Sequence, residues 1–595
     1  MSLLINPRDM DFVLYELLDA EHLTQSDIYA DLDRDTFNAV IDTAKKLAED
    51  KFEPFAAKLD ANEPTFDGNV VHIIPEVKEA LDAYVEAGFM GIAADAEDGG
   101  MQLPWVIAQA ACAYIAAADV SANAYPFLTH AGINVLSTYG SKPQKDKYLK
   151  PLIEGRFFGT MCLSEPQAGS SLSDIKLKAE KTNEEHYSIS GTKMWISAGE
   201  HELSENIVHL VLAKIPGAPP GVRGISLFIV PKYRVNDDGK IGDRNNIELA
   251  GLNHKMGFRG TTNTVLNFGE HGECQGFLVG EEHQGLFYMF DMMNEARIGV
   301  GMTATVLGYS GYLHSLDYAR KRPQGRAIDQ KNPTSPQVEI IEHADIKRLL
   351  LAQKSAVEAS FFLVLYCSSL LDRLKISETE SEKNELSLLL EILTPIAKSW
   401  PSEFCLEANK HAIQILGGYG YTRDFPLERF YRDNRLNPIH EGTHGIQGLD
   451  LLGRKVVMQD GAAFKALLSA YRGTIESAKK NDELNFYVEL FSSAIQKLEG
   501  VTSTLASPES GSILDRTANA TIYLDAFGHI VISWMWLRQI EVAVKNLMGS
   551  ESDFYHGKMK AAEYFFRYEL PKAIERLEFL ERIDTTCVQM ENNWF

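Results

Sequence analysis

Six cysteines in 595 residues, at positions 112, 162, 274, 367, 405 and 587, are too few and too scattered for a disulfide framework. No CxxC pair and no Cys/His spacing suits zinc, so no metal is expected and the thiols read as reduced. Basic residues are outnumbered: 58 Lys and Arg face 82 Asp and Glu, a formal net charge of −24. No basic stripe breaks that excess, which argues against nucleic acid as a partner. Long apolar runs are also missing. The longest, "VIAQAACAYIAAA", is too short and Ala-rich for a bilayer, so no membrane span is expected. The first residues, "MSLLINPRDMDF", lack the basic and apolar regions of a signal peptide, and "NNWF" is no targeting tripeptide. A cytoplasmic location is the expectation. Neither Walker A, GxSxG nor GxGxxG occurs.

What is there is ordinary for a globular protein, 45% hydrophobic and 24% charged, and long enough for several domains. Residues 1–35 read as an extension and 36–158 as helical, with "RDTFNAVIDTAKKLAEDKF" apolar at Phe37, Val40, Ile41, Ala44 and Leu47. Residues 159–275 hold short β-rich runs such as "IVHLVLAKI" and "GISLFIVPKY", which predict a sheet or small barrel. Helical patterns return over 276–455, where "HADIKRLLLAQKSAVEASFFLVLYCSSLLDRL" predicts a long buried helix and "KISETESEKNE" a solvated loop. Residues 456–595 form a further helical block. The fold class is therefore α+β, mostly α.

Several stretches could carry chemistry. In "MCLSEPQAGSSLSDI", residues 161–175, Gly169, Ser170 and Ser171 could bring backbone N–H groups to an anion, or form a plain hairpin loop. Trp195, between Met194 and Ile196, suits either core packing or a wall for a flat ring. "NEARIGVG" places Arg297 at the expected start of a Gly- and Ala-rich helix. "ARKRPQGR" is a basic patch, able to neutralise a phosphate or simply to end a helix. In "NPIHEGTHGIQG", Glu441 is a lone acid among apolar residues; it is either a desolvated base or a helix N-terminal acid favoured by the macrodipole.

Taken in order, "MCLSEPQAGSSLSDI", "GTKMWISAG", "KMGFRGTT", "NEARIGVG", "AIQILGGYGYTRDFPLERFYRDNR" and "IHEGTHGIQ" resemble the landmarks of the acyl-CoA dehydrogenase family across roughly residues 36–455. The N-terminal stretch and the block after 460 resemble its longer bacterial subgroup, which includes 3-methylmercaptopropionyl-CoA dehydrogenases. The resemblance implies a helical domain, a β-domain and a four-helix domain with FAD between them. It also implies a homodimer or dimer of dimers, an acyl-CoA substrate, and electron-transferring flavoprotein as acceptor. The expected reaction is α,β-dehydrogenation of a fatty acyl-CoA or of 3-methylmercaptopropionyl-CoA.

By the same resemblance Glu441 is the catalytic base, and its backbone N–H meets the thioester carbonyl. Met161, Leu163, Ser164, Gly169 and Ser170 line the flavin and its pyrophosphate, and Trp195 and Ser197 pack on the isoalloxazine. Arg322, Gln324, Gln414 and Gly418 serve the adenine side from the second subunit, and Thr443 touches the same cofactor. Ser170, Arg297, His440 and Gly442 face the substrate. Some members carry the base on the helix residue before the Arg, which here is Ala296; Glu295 beside it is expected to point away. His440 replaces a usual Tyr and is expected to titrate near neutral pH, coupled to Glu441. An acyl-CoA oxidase using dioxygen, or a nucleic-acid-associated paralogue of the fold, are the alternatives.

Overall fold

The structure is a computed structural model that describes residues 3–330 and 332–595, without the side chains of 291–293. The chain divides into two units, residues 31–296 and residues 1–30 together with 297–595.

In the unit of residues 31–296, α1 (Arg34–Leu47) starts where the Asp33 carboxylate accepts the Thr36 N–H at 2.8 Å. Its spacing buries Phe37, Val40, Ile41 and Ala44, as the periodicity predicts. α2 (Pro75–Glu86) follows. α3 (Trp105–Ala118) is apolar on every side and almost wholly buried. α4 (Val120–Tyr139) is capped by Asp119 and meets the sheet through Thr129, whose Oγ1 accepts the Gly159 N–H at 3.0 Å.

The strands of the eight-stranded sheet are β1 (Phe157–Cys162), β2 (Lys178–Lys181), β3 (Tyr187–Ser197), β4 (Asn206–Lys214), β5 (Ile225–Pro231), β6 (Ile247–Leu252), β7 (Asn263–Phe268) and β8 (Gln275–Leu278). Their order is β6-β7-β3-β8-β5-β4-β1, and β2 pairs with both β3 and β4. The pairings β3-β8-β5-β4-β2-β3 thus close a small ring, the barrel form of the two expected. Ile189, Val211, Phe228 and Leu266 are among the side chains that fill it.

The unit boundary falls inside α5 (Gly285–Lys321). Arg297 therefore lies well inside a helix, not at its start, because the apolar run from Leu286 is already helical. α6 (Ala344–Ile376) is the long buried helix that was expected. α7 (Glu380–Leu416) begins inside the segment read as loop, leaving only Ser377–Thr379 between helices. The Thr379 side chain accepts the Glu382 N–H, and the acidic first turn suits the helix dipole; this start signal outweighs the segment's polarity. Gly301 of α5 faces α7 so closely that a Cβ there would sit 2.0 Å from the Ala397 carbonyl oxygen. α8 (Leu427–Asn434) and α9 (His444–Asp450) complete this part.

The C-terminal block contains α10 (Met458–Ala478), α11 (Asn485–Ala506), α12 (Ala520–Ala543), α13 (Ser552–Tyr564) and α14 (Leu570–Leu580). α12 is its buried axis, and Trp536 donates from Nε1 to the Ser355 carbonyl of α6 at 2.9 Å. Among the described residues two helices, Ala344–Ile376 and Ala520–Asn546, are long and apolar enough to cross a membrane, contrary to the reading of the runs alone; 83% of each apolar window is buried against protein. The N-terminal segment docks on this block. Buried Asp9 accepts from Tyr309 of α5 and from Lys558 of α13, and Phe12 packs edge-on against Phe554.

Candidate active site

Within residues 31–296, the segment after β1 is shaped by a buried ion pair. Lys193 of β3 reaches Glu165 at 2.9 Å, and both side chains are almost fully buried. Lys193 also donates to the Leu163 carbonyl at 2.8 Å. Glu165 accepts the backbone N–H groups of Lys176 (2.6 Å) and Leu177 (3.1 Å) and the Gln167 amide (2.7 Å). The segment is thus neither a plain hairpin nor a loose loop but one wrapped around a single carboxylate. It leaves Gly169 and Ser170 exposed and Met161, Leu163 and Ser164 half-buried. The Ser164 carbonyl accepts the Met194 N–H at 3.0 Å, which ties the segment to β3.

Trp195 occupies a bulge. β7 residues Val265 and Thr264 pair with Met194 and Ile196, so Trp195 has no partner. Its φ is +66°, and the indole is 58% exposed. A bulge re-aims one side chain out of the alternation. The core reading of Trp195 therefore fails, while Ile196 beside it is buried. Ser197 is half-buried, and its Oγ accepts the Asn263 amide at 3.3 Å. An exposed indole on β3, with an exposed Gly-Ser stretch on the segment tied to the same strand, fits a flat ring carrying an anionic tail. Ala296 occupies the alternative base position, and the Glu295 carboxylate is taken by Asn134.

Within the other unit, Glu441 sits in the turn before α9. Thr443 is the N-cap, its hydroxyl accepting the Ile446 N–H at 3.3 Å. Glu441 is thus a helix N-terminal acid, yet its surroundings are not those of a surface cap. Its φ is +52°, followed by Gly442 at +88°. A Cβ on Gly442 would meet Gln447 Nε2 at 2.5 Å, so glycine is required twice over. Gln447 donates that amide to the Glu441 carbonyl at 3.1 Å. Among the described residues the Glu441 N–H finds no acceptor.

Two cations act on this carboxylate. Arg297 is buried and contacts Asp450 at 3.4 Å, with its Nε unpartnered. Lys398 of α7, which the sequence reading missed in the apolar run "ILTPIAKSW", is buried and donates to the carbonyls of Asn437 (2.7 Å) and Gly442 (2.8 Å). Burial pushes the Glu441 carboxyl up, and Arg297 and Lys398 offset this only in part. His440 contradicts its expected neutral titration: burial, then the Lys398 charge, push it down to about 3. It stays a neutral imidazole, bonded to Asn437 Oδ1 at 3.0 Å, and no coupled pair with Glu441 forms.

Arg322, Gln324, Gln414 and Gly418 are all exposed, on the turn after α5 and at the end of α7. Gln414 lies about 24 Å along α7 from Lys398 by helical rise, outside the Glu441 cluster. Among the described residues no group of three or more His, Cys, Asp or Glu could hold a metal ion.

Four family models match the chain in order: acyl-CoA dehydrogenase N-terminal domain over 34–156, middle domain over 160–270, C-terminal domain over 283–456, and an acetyl-CoA dehydrogenase C-terminal-like domain over 467–591. The chain is 35% identical to a 3-methylmercaptopropionyl-CoA dehydrogenase of Ruegeria pomeroyi, with 94% of each chain covered. It is 31% identical to the broad-specificity linear acyl-CoA dehydrogenase FadE5 of Mycobacterium tuberculosis over 99% of each. An acyl-CoA dehydrogenase of Bacillus anthracis complexed with FAD shares the fold at a TM-score of 0.74 and 21% identity, covering 98% of this chain and 93% of that one. With its helical and β-domains, a carboxylate held in a strained turn and these matches along nearly its whole length, the chain belongs to the acyl-CoA dehydrogenase family of flavoprotein oxidoreductases.

Proposed function

We propose that this protein converts an acyl-CoA thioester to its trans-2-enoyl-CoA, with Glu441 as the base and FAD as the cofactor. The observation that carries the reading is Glu441 itself, a carboxylate raised by burial and held on a left-handed backbone with its own N–H unclaimed. A raised proton affinity suits removal of the α-proton, and the N–H can meet the thioester oxygen as the enolate forms. The space a side chain on Gly442 would fill is taken by the Gln447 amide, so Gly442 serves the substrate by letting Gln447 hold the turn rather than by leaving room for the acyl chain. Arg297 and His440 border the same turn; Arg297 serves the substrate side through its unpartnered Nε.

The flavin supplies what no side chain can, acceptance of the β-hydride. Trp195 and Ser197 would hold its ring system; Met161, Leu163, Ser164, Gly169 and Ser170 would line the rest, with Ser170 also reaching the substrate. The exposed Arg322, Gln324, Gln414 and Gly418 would serve the cofactor of a neighbouring subunit in a homodimer or dimer of dimers, and Thr443 would touch FAD as well. Electron-transferring flavoprotein would take the electrons onward. Relatives named for 3-methylmercaptopropionyl-CoA, linear acyl-CoAs and butyryl-CoA support a short or linear acyl thioester as substrate.

The test is anaerobic stopped-flow reduction of the bound flavin by butyryl-CoA and 3-methylmercaptopropionyl-CoA. Glu441→Gln is nearly isosteric and cannot take the proton. It should keep FAD and bind acyl-CoA but reduce the flavin at least about a hundredfold more slowly. A wild-type rate in this variant would place the base elsewhere. Rapid oxygen consumption without another acceptor would favour an oxidase.

A further inference from the structure

The Glu441 turn is held by a lysine that the reaction as derived does not use. Lys398 is buried on α7, and among the described residues no carboxylate lies within ion-pair distance of it. Its Nζ spends two donors on carbonyls: Asn437 at 2.7 Å, before the base, and Gly442 at 2.8 Å, immediately after it. The neighbouring cations differ. Arg297 of α5 contacts Asp450 of α9, which also takes Arg454 at 2.6 Å, and Lys455 contacts Glu391 of α7. Arg297 and Lys455 thus have contacting carboxylates. Lys398 and Glu441 are left as the cation and anion without a contacting counter-charge. A buried ammonium in that position is costly, and an apolar side chain of similar length would fill the space without the cost.

We propose that Lys398 is the positioning residue of the base: its ammonium ties the two ends of the Glu441 turn and supplies the charge against which Glu441 ionises. This rests on Glu441 being the base. The tether matters because Glu441, a non-glycine residue, holds positive φ, and loss of the two carbonyl anchors leaves the Gln447 amide alone to oppose relaxation of that strained residue. The charge matters because it works against the desolvation of Glu441.

The groups facing Lys398 are Glu441 and His440 on the turn, Arg297 from α5 and Glu403 on α7. His440 stays neutral, and Arg297 stays charged at any working pH. Lys398 is the group that changes: burial pushes it down to about 7, with Glu441 opposing. It is charged below that value and discharged above. Glu441 behaves oppositely, ionising as the pH rises through its raised value. Flavin reduction should therefore rise with pH as Glu441 ionises and fall as Lys398 loses its proton. Lys455, pushed by burial to about 8, is the rival source of such a fall.

The experiment measures single-turnover flavin reduction by butyryl-CoA between about pH 6 and 9, with FAD content and melting temperature, for wild type, Lys398→Met, Lys398→Gln and Glu441→Gln. Lys398→Met should hold FAD and bind butyryl-CoA. Its acid limb should move up by about one unit, a loss of about tenfold at low pH, and its alkaline limb should vanish. Lys398→Gln keeps a donor without the charge, so it should show the same displacement with a smaller loss at the optimum. A wild-type profile in either variant, or a lowered melting temperature with an unmoved profile, overturns the proposal and leaves Lys398 a packing residue. An alkaline limb that survives in Lys398→Met also overturns it, in favour of Lys455. If Lys398→Met fails to fold, Lys398→Gln decides; if neither folds, a wild-type profile with no alkaline limb overturns the proposal. Should Glu441→Gln reduce flavin at the wild-type rate, the base reading itself fails. Should it be inactive while the Lys398 variants keep the wild-type profile, only the role of Lys398 fails.

Discussion

Gln447 donates from Nε2 to the carbonyl of Glu441 at 3.1 Å, reaching back from the first turns of α9 to the backbone of the candidate base. Gln447 is fully buried, and Gly442 leaves it the space to do so. Replacing it with Ala removes one hydrogen bond and empties its volume. The expected cost is about 1 kcal/mol in stability and about a tenfold drop in flavin reduction, because the carboxylate loses its fixed backbone. Thermal melts and stopped-flow reduction check this together. An unchanged reduction rate would mean that the carbonyl contact does not hold the turn.

Trp195 is exposed and its backbone strained, so its side chain adds little to the barrel core. Trp195→Ala should leave the melting temperature of the flavin-free protein within error. FAD binding should weaken by roughly threefold to tenfold, the range of an aromatic stacking contact. Titration of the flavin-free protein with FAD by fluorescence measures it. A large stability loss with unchanged affinity would return Trp195 to the core.

The pair Lys193–Glu165 calls for two variants. Lys193→Met strands a buried carboxylate and should cost about 3–5 kcal/mol, with the segment around Gly169 and Ser170 loosened and FAD lost. Lys193→Met with Glu165→Gln removes both charges and should recover much of that loss. Burial alone would raise the Glu165 carboxyl, but Lys193 and the Lys176 and Leu177 N–H groups together hold it below the usual range. Its contribution is therefore present at neutral pH and is lost as the pH falls through that lowered value. Denaturant melts at neutral and acid pH test both statements; a double variant as unstable as Lys193→Met would contradict them.

Asp9 joins the N-terminal segment to α5 and α13 through Tyr309 and Lys558, and Lys558 also contacts Glu358 at 2.9 Å. Asp9→Ala leaves Lys558 with Glu358 alone and Tyr309 without its acceptor. A loss of about 3 kcal/mol is expected, along with faster proteolysis of the first residues. Limited proteolysis followed by mass spectrometry reads the release. Unchanged cleavage would show that Phe12 against Phe554 suffices to hold the segment.

Much of this protein is legible in its amino-acid sequence. The spacing of Phe37, Val40, Ile41 and Ala44 identifies α1, the short β-rich runs a β-domain that could be sheet or barrel, and the ordered landmarks the family. Those are local patterns, and one helix face or one strand pair is enough to express them. One departure is local too: Thr379 with Glu382 marks the start of α7 inside a stretch whose polarity reads as solvated loop.

Other features depend on partners far away in the chain. Trp195 turns outward because β3 slips by one residue against β7, a fact of pairing that its neighbours Met194 and Ile196 do not reveal. The extension reads as a tail until Asp9 finds Tyr309 and Lys558. His440 reads as a neutral-pH switch, and only the burial around it, with Lys398 from another helix, makes it a plain neutral donor or acceptor. Lys398 itself looks like an interruption in an apolar helix until the carbonyls of Asn437 and Gly442 close over it. The sequence by itself determined which elements form and in what order, because backbone propensity and apolar periodicity are short-range. Tertiary structure decided which charges are desolvated and which cation faces which carboxylate, because the energy of a buried charge depends on everything packed around it.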